Sequence, residues 1–343
     1  MVMKMMKAVG LTRYLPIENP ESLMDFTVQK PNAKGHDLLV KVMAVSVNPV
    51  DTKVRAPKEQ IEETPRILGW DVAGVVEEVG EDCKLFRPGD KVYYAGSISR
   101  QGGNSEYHLV DERIVGRKPE TLNFAEAAAL PLTSITAWEA LFDRMKISQD
   151  PIHNKGKSLL IIGAAGGVGS IAIQLAKQVG LTVIGTASRP ETMDWVTMMG
   201  ADHTVNHHNP LLPQLQALGL SHVPYIFCLN ALEKHWKGIS EVISPQGVVC
   251  AIDDPKSPLD LTLLKRKSVT FVWEFMFTRS LFETEDMIEQ HFLLNRIAEA
   301  VDNGTLRTTL TQRLEPISAE NLRNAHALLE SNKMIGKLVL EHF

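Results

Sequence analysis

A glycine-rich loop in the middle of the chain carries the clearest chemical signal. Gly163, Gly166 and Gly169 recur every third residue after an uncharged apolar run over residues 159–162, and apolar residues at helical spacing follow. A strand, a glycine turn and a helix in this order bring free helix N–H groups against a pyrophosphate. The spacing G-x-x-G-x-x-G also fits a glycine turn in another α/β protein. The loop predicts a dinucleotide site formed by Gly163, Ala165, Gly166, Gly167, Val168 and Gly169.

The residues at the end of the second predicted strand, after the glycine loop and its helix, indicate which dinucleotide is bound. An NAD-specific site places an acidic residue about 20 residues beyond the glycine loop, where it holds the ribose 2′-hydroxyl. That position here is Ala187, followed by Ser188 and Arg189. The Ser188 hydroxyl can hydrogen-bond a 2′-phosphate, and the Arg189 guanidinium can pair with it in a bidentate manner. These residues predict NADPH as the cofactor, unless Ser188 only caps a helix that begins near Pro190.

Bulk properties exclude several functional classes. The chain has 343 residues, of which 44% are hydrophobic and 22% charged, and its net charge is −5. This balance gives no reason to bind nucleic acid or an anionic membrane surface, and no apolar run approaches the length of a membrane span. Cys83, Cys228 and Cys250 are too few and too far apart for a disulfide scaffold or a four-cysteine zinc site. We expect a cytoplasmic protein, and the length favours two domains.

The order of segments predicts an α/β protein. Short β-rich runs over residues 37–47, 71–79 and 91–95 precede a helix over 133–145, for which Thr133 or Ser134 is the expected cap. Alternation of strands and helices then indicates a Rossmann-type, doubly wound parallel sheet of six strands. The six predicted strands cover residues 159–162, 182–187, 203–207, 225–230, 247–252 and 269–275.

The C-terminal segments are surplus to that sheet and are expected to return to the β-rich part. They comprise a helix over 285–303 ended by Gly304, and strands over 311–317 and 337–341 that flank a helix over 319–330. The predicted domains are therefore a β-rich domain and an inserted Rossmann domain, covering residues 1–132 with 276–343 and residues 133–275 respectively.

A set of ordered motifs carries a resemblance to a known family. These motifs cover residues 48–51, 68–80, 88–92, 103–107, 131–140, 164–169 and 336–340. With them, the chain resembles the medium-chain dehydrogenase/reductase superfamily from end to end. It looks most like the zinc-free quinone oxidoreductase branch, which includes bacterial proteins labelled zinc-type alcohol dehydrogenase-like. The resemblance implies a chaperonin-10-like β domain, a cofactor in the cleft beside the Rossmann domain, and a homodimer formed through the sixth strand.

Departures from the zinc-dependent members bear on metal binding. In those members a cysteine, a Gly-His-Glu motif and a later cysteine surround the catalytic metal. The matching positions here hold Asn48, Trp70, Asp71 and, near the last, Leu132. Zinc requires three protein ligands from cysteine, histidine or carboxylate, and an amide is a poor ligand whereas an indole is none. We therefore expect no metal site.

The spacing of the histidines does not indicate a metal site elsewhere in the sequence. His207 and His208 follow the third predicted strand, where adjacent side chains point to opposite faces. The resemblance implies that His207 borders the adenosine-phosphate pocket, where the family often has an aromatic residue. A solvated loop is the simpler explanation for this histidine pair.

The candidate catalytic residues are Asn48, Asp51 and Lys53. The resemblance implies that Asn48 touches the nicotinamide ribose or the acceptor oxygen, although it is also a turn residue. Asp51 orients its neighbours or acts as a weak acid, and a surface turn is equally compatible. Lys53 stands where quinone oxidoreductases usually have a tyrosine, so quinone specificity stays open. The resemblance further implies that Thr136 meets the cofactor and that Lys337 reaches its phosphates, with a solvated surface lysine as the alternative for Lys337.

Four aromatic residues are candidates for an apolar acceptor pocket, with core packing as the alternative for each of them. They are Trp70, Tyr94, Trp273 and Phe275.

Without a metal, hydride transfer to an acceptor that needs little acid–base assistance is the remaining chemistry. The sequence therefore predicts a zinc-independent, NADPH-dependent reductase of a small-molecule acceptor, a quinone or related activated carbonyl compound. The alternatives are an enone or alkenal double-bond reductase, a zinc-containing alcohol dehydrogenase, and an NADPH-binding sensor without useful catalysis.

Overall fold

The computed structural model describes residues 4–343, and they form two compact units. The first unit contains the residues up to 135 together with 277–343, and the second contains residues 136–276. The domain limits predicted from the sequence stay a prediction, because compactness alone does not show which segments fold independently. Within the described range, each helix is too short or too polar to cross a membrane.

Sixteen strands occur along the described chain. In chain order they are β1 (Met5–Tyr14), β2 (Met24–Gln29), β3 (Asp37–Ser46), β4 (Lys58–Ile67), β5 (Val72–Val79), β6 (Lys91–Tyr94), β7 (Tyr107–Asp111), β8 (Gly116–Arg117), β9 (Ser158–Ile162), β10 (Thr182–Thr186), β11 (His203–Val205), β12 (Val223–Cys228), β13 (Ile243–Ala251), β14 (Thr270–Trp273), β15 (Leu310–Leu314) and β16 (Lys337–Glu341).

Eleven α-helices occur in the same range. They are α1 (Pro49–Arg55), α2 (Phe124–Ala128), α3 (Pro131–Trp138), α4 (Gly167–Gln178), α5 (Pro190–Met198), α6 (Leu211–Ala217), α7 (Leu232–Val242), α8 (Thr262–Lys265), α9 (Thr278–Phe282), α10 (Glu289–Asp302) and α11 (Ala319–Glu330). A π-helical turn, Glu139–Arg144, follows α3, and single 3-10 turns lie at Pro20–Ser22, Glu112–Ile114 and Pro151–Asn154.

The second unit contains a six-stranded parallel sheet in the order β11-β10-β9-β12-β13-β14. Every residue of β9 is buried, as expected for a parallel strand covered on both faces. Leu160 and Ile162 pack with Ile226, Trp236 and Ile239 in one apolar cluster. Burial of each such side chain contributes roughly 1.5–3 kcal/mol. The predicted doubly wound α/β sheet is confirmed.

The first unit contains two β-sheets, and it confirms the β-rich domain expected from the sequence. A three-stranded sheet has the order β2-β1-β4. The larger sheet has the order β15-β16-β3-β5-β6-β8, with β7 paired to β3. The C-terminal strand β16 therefore lies beside β3 from the early part of the chain.

The helix predicted over residues 133–145 begins earlier and changes type. Pro131 starts α3, as its fixed φ and missing N–H favour at a first helical position, and the π-helical turn continues from Trp138. Thr133 is therefore not a cap, and its hydroxyl donates to the Leu130 carbonyl oxygen at 3.0 Å. The prediction that Thr133 or Ser134 caps the helix is wrong.

Several predicted element ends also differ from those in the structure. β11 ends at Val205 rather than residue 207, because a turn follows it. The helix predicted from residue 285 begins at Glu289, after a turn. Arg189, not Ser188, occupies the position before α5, so the alternative in which Ser188 caps that helix is wrong.

Candidate functional site

The glycine loop joins β9 to α4 within the second unit. Gly163 follows the strand with a φ of +88°, a left-handed conformation that glycine adopts without steric cost. Its N–H donates to the Thr186 hydroxyl on β10 at 3.0 Å, which fixes the loop against the neighbouring strand. Gly166 immediately precedes α4. The first-turn N–H groups of α4, which have no acceptor within an α-helix, therefore open toward the loop and suit a phosphate.

Two glycines of this loop have different surroundings. A Cβ atom on Gly169 would lie 2.5 Å from the Ala164 carbonyl oxygen, so close packing of α4 on the loop requires glycine there. A Cβ atom on Gly166 would meet only the Gly163 carbonyl oxygen, at an ordinary 3.6 Å. Protein atoms therefore leave the space beside Gly166 open, which fits close approach of a pyrophosphate. The remaining predicted loop residues, Ala165, Gly167 and Val168, are half-buried in the same turn.

The end of β10 holds the residues predicted to select the cofactor. Ala187 is buried, and its N–H donates to the Val205 carbonyl oxygen at 2.9 Å. Ser188 is half-buried beyond it. The N–H of Arg189 donates to the Thr192 hydroxyl at 3.1 Å, while the guanidinium Nε lies 3.4 Å from Glu191 Oε1. The guanidinium is half-exposed at this strand end, where it lies beside the surface carboxylate of Glu191.

His207 lies in the turn after β11, next to the end of β10. Its ring centroid is 4.4 Å from that of His208 and 6.3 Å from that of His235. The expectation that His207 and His208 point to opposite faces is wrong, because the strand has already ended at Val205. Burial, and then the neighbouring His208 and His235, lower the pKa of His207, which favours the neutral ring.

A buried polar network occupies the first unit. Lys337 begins β16, Asp71 directly precedes β5, and Asn48 follows β3, the strand that pairs with both. The Lys337 ammonium donates to Asp71 Oδ2 at 3.0 Å, to the Val47 carbonyl oxygen at 2.8 Å, and to Asn48 Oδ1. The Asn48 amide donates to Asp71 Oδ2 at 2.8 Å. Binding of the cofactor phosphates by Lys337 stays a prediction, and the network gives that residue a second role.

Asp51 extends this network at the start of α1. Its Oδ2 atom accepts from the Asn48 main-chain N–H at 2.6 Å, which fixes the first turn of the helix. Its Oδ1 atom is buried and has no hydrogen-bond partner among residues 4–343. Burial raises the pKa of Asp51 to about 7, against the opposing effects of the Asn48 N–H and the Lys337 ammonium. A carboxyl with this pKa can give or take a proton near neutral pH.

The structure does not unite all of the predicted site residues. Asn48 and Asp51 share a network, but Lys53 is exposed on α1 while Asp51 is buried. Thr136 is buried on α3 and belongs to the second unit. The roles predicted for Lys53 and Thr136 therefore stay predictions.

The predicted aromatic pocket residues fall into two groups. Trp70 and Tyr94 are fully buried in the first unit, and their polar atoms are satisfied: Trp70 Nε1 donates to the Ser97 carbonyl oxygen at 3.1 Å. The Tyr94 hydroxyl lies 3.0 Å from His108 Nδ1. Trp273 and Phe275 lie in the second unit, and each is nearly half exposed. Core packing therefore accounts for the first pair.

Sequence reasoning missed a buried acidic pair in the second unit. Glu139 opens the π-helical turn, Glu274 follows β14, and both are almost completely buried. Arg144 Nε donates to Glu274 Oε2 at 2.9 Å, and a terminal guanidinium nitrogen lies 3.8 Å from Glu139 Oε2. Burial, followed by the Glu139 carboxyl, raises the pKa of Glu274 to about 9. The sequence signal for this buried pair is that Glu139 and Glu274 each lie within an otherwise apolar run.

The positions that match zinc ligands do not form a zinc site. The Trp70 indole is engaged with Ser97, and the Leu132 N–H donates to Asp71 Oδ1 at 2.8 Å. Within residues 4–343, no three histidine, cysteine, aspartate or glutamate side chains are grouped to hold a metal ion. The donor set of Asn48, Trp70 and Leu132 does not fit zinc, which requires thiolate, imidazole or carboxylate ligands.

Two family models match the chain. The alcohol dehydrogenase GroES-like domain matches residues 34–128, and the zinc-binding dehydrogenase domain matches residues 199–340.

Relatives of known sequence and structure extend this match. A zinc-type alcohol dehydrogenase-like protein of Staphylococcus aureus is 47% identical over 335 residues, covering 98% of this chain and 99% of its own length. A solved structure from Rhizobium etli CFN 42, described with the zinc-dependent alcohol dehydrogenases, is 53% identical with a TM-score of 0.95, and covers 100% of this chain and 99% of that one.

Two further relatives match part of the chain. The quinone oxidoreductase of Homo sapiens is 37% identical over 209 residues, which cover 60% of this chain and 59% of that protein. The 2-methylene-furan-3-one reductase of Solanum lycopersicum is 37% identical over 213 residues, which cover 59% of this chain and 52% of that protein.

These matches agree with the two-unit α/β fold of the structure. The chain therefore belongs to the medium-chain dehydrogenase/reductase superfamily, a family of oxidoreductases that use a nicotinamide cofactor.

Proposed function

We propose that this chain is a zinc-independent, NADPH-dependent oxidoreductase that transfers hydride to a quinone or a related activated carbonyl compound. The buried network carries the proposal, because Asn48 and Asp71 bind a lysine ammonium where zinc-dependent relatives have metal ligands. The zinc-related names of the relatives apply to those proteins. This chain has Asn48, Trp70 and Leu132 where a zinc site requires cysteine or histidine ligands.

The choice of NADPH is supported by the residues at the end of β10. Ala187 leaves no carboxylate at the position that holds the ribose 2′-hydroxyl in NAD-specific sites. The Ser188 hydroxyl and the Arg189 guanidinium follow it and suit a 2′-phosphate. We assign the pyrophosphate to the glycine loop and the first turn of α4. His207, at the adjacent strand end, is the candidate for contact with the adenosine portion.

A bound NADPH would supply the hydride, and this chain's residues would orient the acceptor and manage the proton. Reduction of a quinone or an enone adds one hydride and one proton, so the reaction requires a proton source. Asp51 is the candidate, since its pKa near 7 permits a proton on the carboxyl at neutral pH. Asn48 is held by bonds at both ends of its amide and is the candidate for contact with the acceptor or nicotinamide ribose.

A double-bond reductase of enones is the second candidate function. Lys53 supports it, because this exposed ammonium stands where quinone oxidoreductases usually have a tyrosine that approaches the substrate. An ammonium stabilises a developing enolate oxygen but does not stack on a flat quinone ring. The tomato relative, named as a 2-methylene-furan-3-one reductase, is consistent with this alternative.

We also propose a homodimer formed through β14. This strand is the last in the parallel sheet, so one side of its main chain has no strand partner within the described chain. Trp273 and Phe275 are 48% and 45% exposed at this edge, and a second copy would cover them. Light scattering on the purified protein tests the proposal, and a monomer at micromolar concentration would contradict it.

The function is tested by a steady-state assay in which NADPH or NADH is paired with a panel of quinones and enones. We expect NADPH to be consumed with a quinone or activated carbonyl acceptor, with much weaker use of NADH. Reduction of conjugated double bonds with little quinone turnover would instead select the enone reductase. Tight NADPH binding without oxidation by any acceptor would contradict both activities and indicate a sensor.

A further inference from the structure

Of the four positions that match the zinc ligands of relatives, two contact one ammonium group in this chain, and the other two contact those two residues. Asn48 Oδ1 and Asp71 Oδ2 accept hydrogen bonds from Lys337 Nζ directly. The Trp70 carbonyl oxygen lies 3.4 Å from Asn48 Nδ2, and the Leu132 N–H donates to the other oxygen of Asp71 at 2.8 Å. All of these residues belong to the first unit, so the arrangement is internal to it.

The hydrogen bonds define the charge state of the network. The three N–H donors of the ammonium have three acceptors, namely Asp71, Asn48 and the Val47 carbonyl oxygen. Asp71 receives hydrogen bonds from Lys337, Asn48 and Leu132, all of which are donors. Such a set favours the ionised carboxylate, because a protonated one would require an acceptor for its own O–H.

Burial makes this cation necessary. Asp71 is fully buried, Asn48 is 1% exposed and Lys337 is 4% exposed. Burial raises the pKa of Asp71, and the Lys337 ammonium is the main opposing influence. Removing one partner of a buried charge pair leaves the other charge uncompensated in a low-dielectric environment. Asn48 would also lose the donor to its carbonyl oxygen, and only the hydrogen bonds of its Nδ2 atom would still hold the amide.

We infer that the Lys337 ammonium is an internal cation that replaces the catalytic metal of zinc-dependent relatives and acts as a positioning residue for Asn48. The inference rests on the proposed zinc independence of the chain. It assigns Lys337 a role in holding Asn48 and Asp71, which differs from the predicted contact with the cofactor phosphates. If the inference is right, a divalent ion can bind here only after it displaces the Lys337 ammonium, which is covalently attached to the chain.

Chemical rescue tests this role. Lys337→Ala removes a propylammonium-sized portion of the side chain, so n-propylammonium chloride is the matched probe. We expect the melting temperature of K337A to fall by on the order of 10 °C. n-Propylammonium should recover at least half of this loss, whereas tetramethylammonium chloride at equal ionic strength, which lacks N–H donors, should not. Lys118→Ala is the control, because this buried ammonium donates to the Pro119 and Leu122 carbonyl oxygens and to no carboxylate among residues 4–343.

A kinetic readout separates positioning from phosphate binding. If Lys337 positions Asn48, K337A should lose at least about tenfold in kcat, recover with n-propylammonium, and keep its Kd for NADPH within about twofold. If K337A is too unstable, Asp71→Asn combined with Lys337→Met removes both charges. This pair should melt above Lys337→Met alone, since the buried carboxylate is gone.

Two results would overturn the inference. One is that n-propylammonium does not raise the melting temperature of K337A, and that Asp71→Asn with Lys337→Met melts no higher than Lys337→Met alone. The other is a large rise in the Kd for NADPH with unchanged kcat at saturating cofactor. Stoichiometric zinc in the purified wild-type protein, lost together with activity on chelation, would instead contradict the proposed function, so the two failures are distinguishable.

Discussion

The Lys337 ammonium lies 3.0 Å from Asp71 Oδ2, although 266 positions separate these residues along the chain. The pairing of β3 with both β16 and β5 brings them together. Because Asp71 is occupied by donors on both oxygens, it is a poor source of protons. Asp51, which has one oxygen without a hydrogen-bond partner within residues 4–343, remains the carboxyl of this network that can exchange a proton near neutral pH.

Replacement of Asp51 by asparagine should change the pH dependence of turnover. The amide oxygen can still accept from the Asn48 N–H, so we expect the melting temperature to change by only a few degrees. It cannot titrate, so kcat should fall on the order of 100-fold and lose its inflection near pH 7. Steady-state rates from pH 5.5 to 9 check this, with the exposed Asp82→Asn as control. An unchanged pH profile in D51N would remove Asp51 as the proton donor.

Two glycine substitutions in the loop should separate binding from stability. Gly166→Ala places a Cβ where only one protein atom lies nearby, at 3.6 Å, so stability should be retained. The same Cβ should obstruct the pyrophosphate and weaken NADPH binding at least about tenfold, a cost of about 1.4 kcal/mol. Gly169→Ala meets the Ala164 carbonyl oxygen at 2.5 Å and should cost about 1–3 kcal/mol in unfolding free energy. Calorimetric titration and thermal melts check both, and unaltered NADPH affinity in G166A would argue against the loop as the pyrophosphate site.

Arg189 should discriminate between the two nicotinamide cofactors. Loss of a charge-assisted bond to a 2′-phosphate costs about 1.5–3 kcal/mol, so R189A should raise the KM for NADPH roughly 10- to 100-fold. The KM for NADH should change by less than about twofold. Glu191→Ala is the matched control, because it removes a carboxylate that lies 3.4 Å from the Arg189 guanidinium and leaves the guanidinium in place. Equal losses for NADPH and NADH would show that Arg189 does not read the 2′-phosphate.

The buried Glu274 carboxyl should make stability depend on pH. Its pKa is raised from an ordinary 4.5 to about 9, so the folded chain binds the proton more tightly than the unfolded chain. The contribution is complete below pH 4.5 and declines as the pH rises toward 9, so the free energy of unfolding should fall across this window. Glu274→Gln, which stays neutral, should flatten the decline. Denaturant titrations at pH 5, 7 and 9 check this, and parallel pH curves for the two proteins would refute it.

The sequence was sufficient for the features that depend on contiguous residues. The glycine loop, the six parallel strands and their alternation with helices follow from local patterns, and the structure confirms that fold class. Element ends were less accurate where a turn begins inside an apolar run, as after Val205. The start of α3 was also misplaced, because Pro131 favours a first helical position more than Thr133 favours a cap.

The rest depended on topology that no local pattern reveals. The sequence placed Lys337 at the cofactor phosphates through its motif, but its bonds to Asp71 and Asn48 arise from the pairing of strands far apart in the chain. The Glu139–Glu274 pair is similar, since β14 must return beside the π-helical turn before the two carboxyls meet. Burial then changes their chemistry, and burial is a property of the packed unit.

The most direct test of zinc-independent hydride transfer is the rate of NADPH oxidation as a function of measured metal content. Protein is treated with a chelator, its zinc content is determined by mass spectrometry, and turnover with a quinone acceptor is recorded before and after zinc is added back. We predict full activity at less than one zinc per ten chains and no gain on addition of zinc. Activity that falls in proportion to zinc content and returns when zinc is restored would contradict the account.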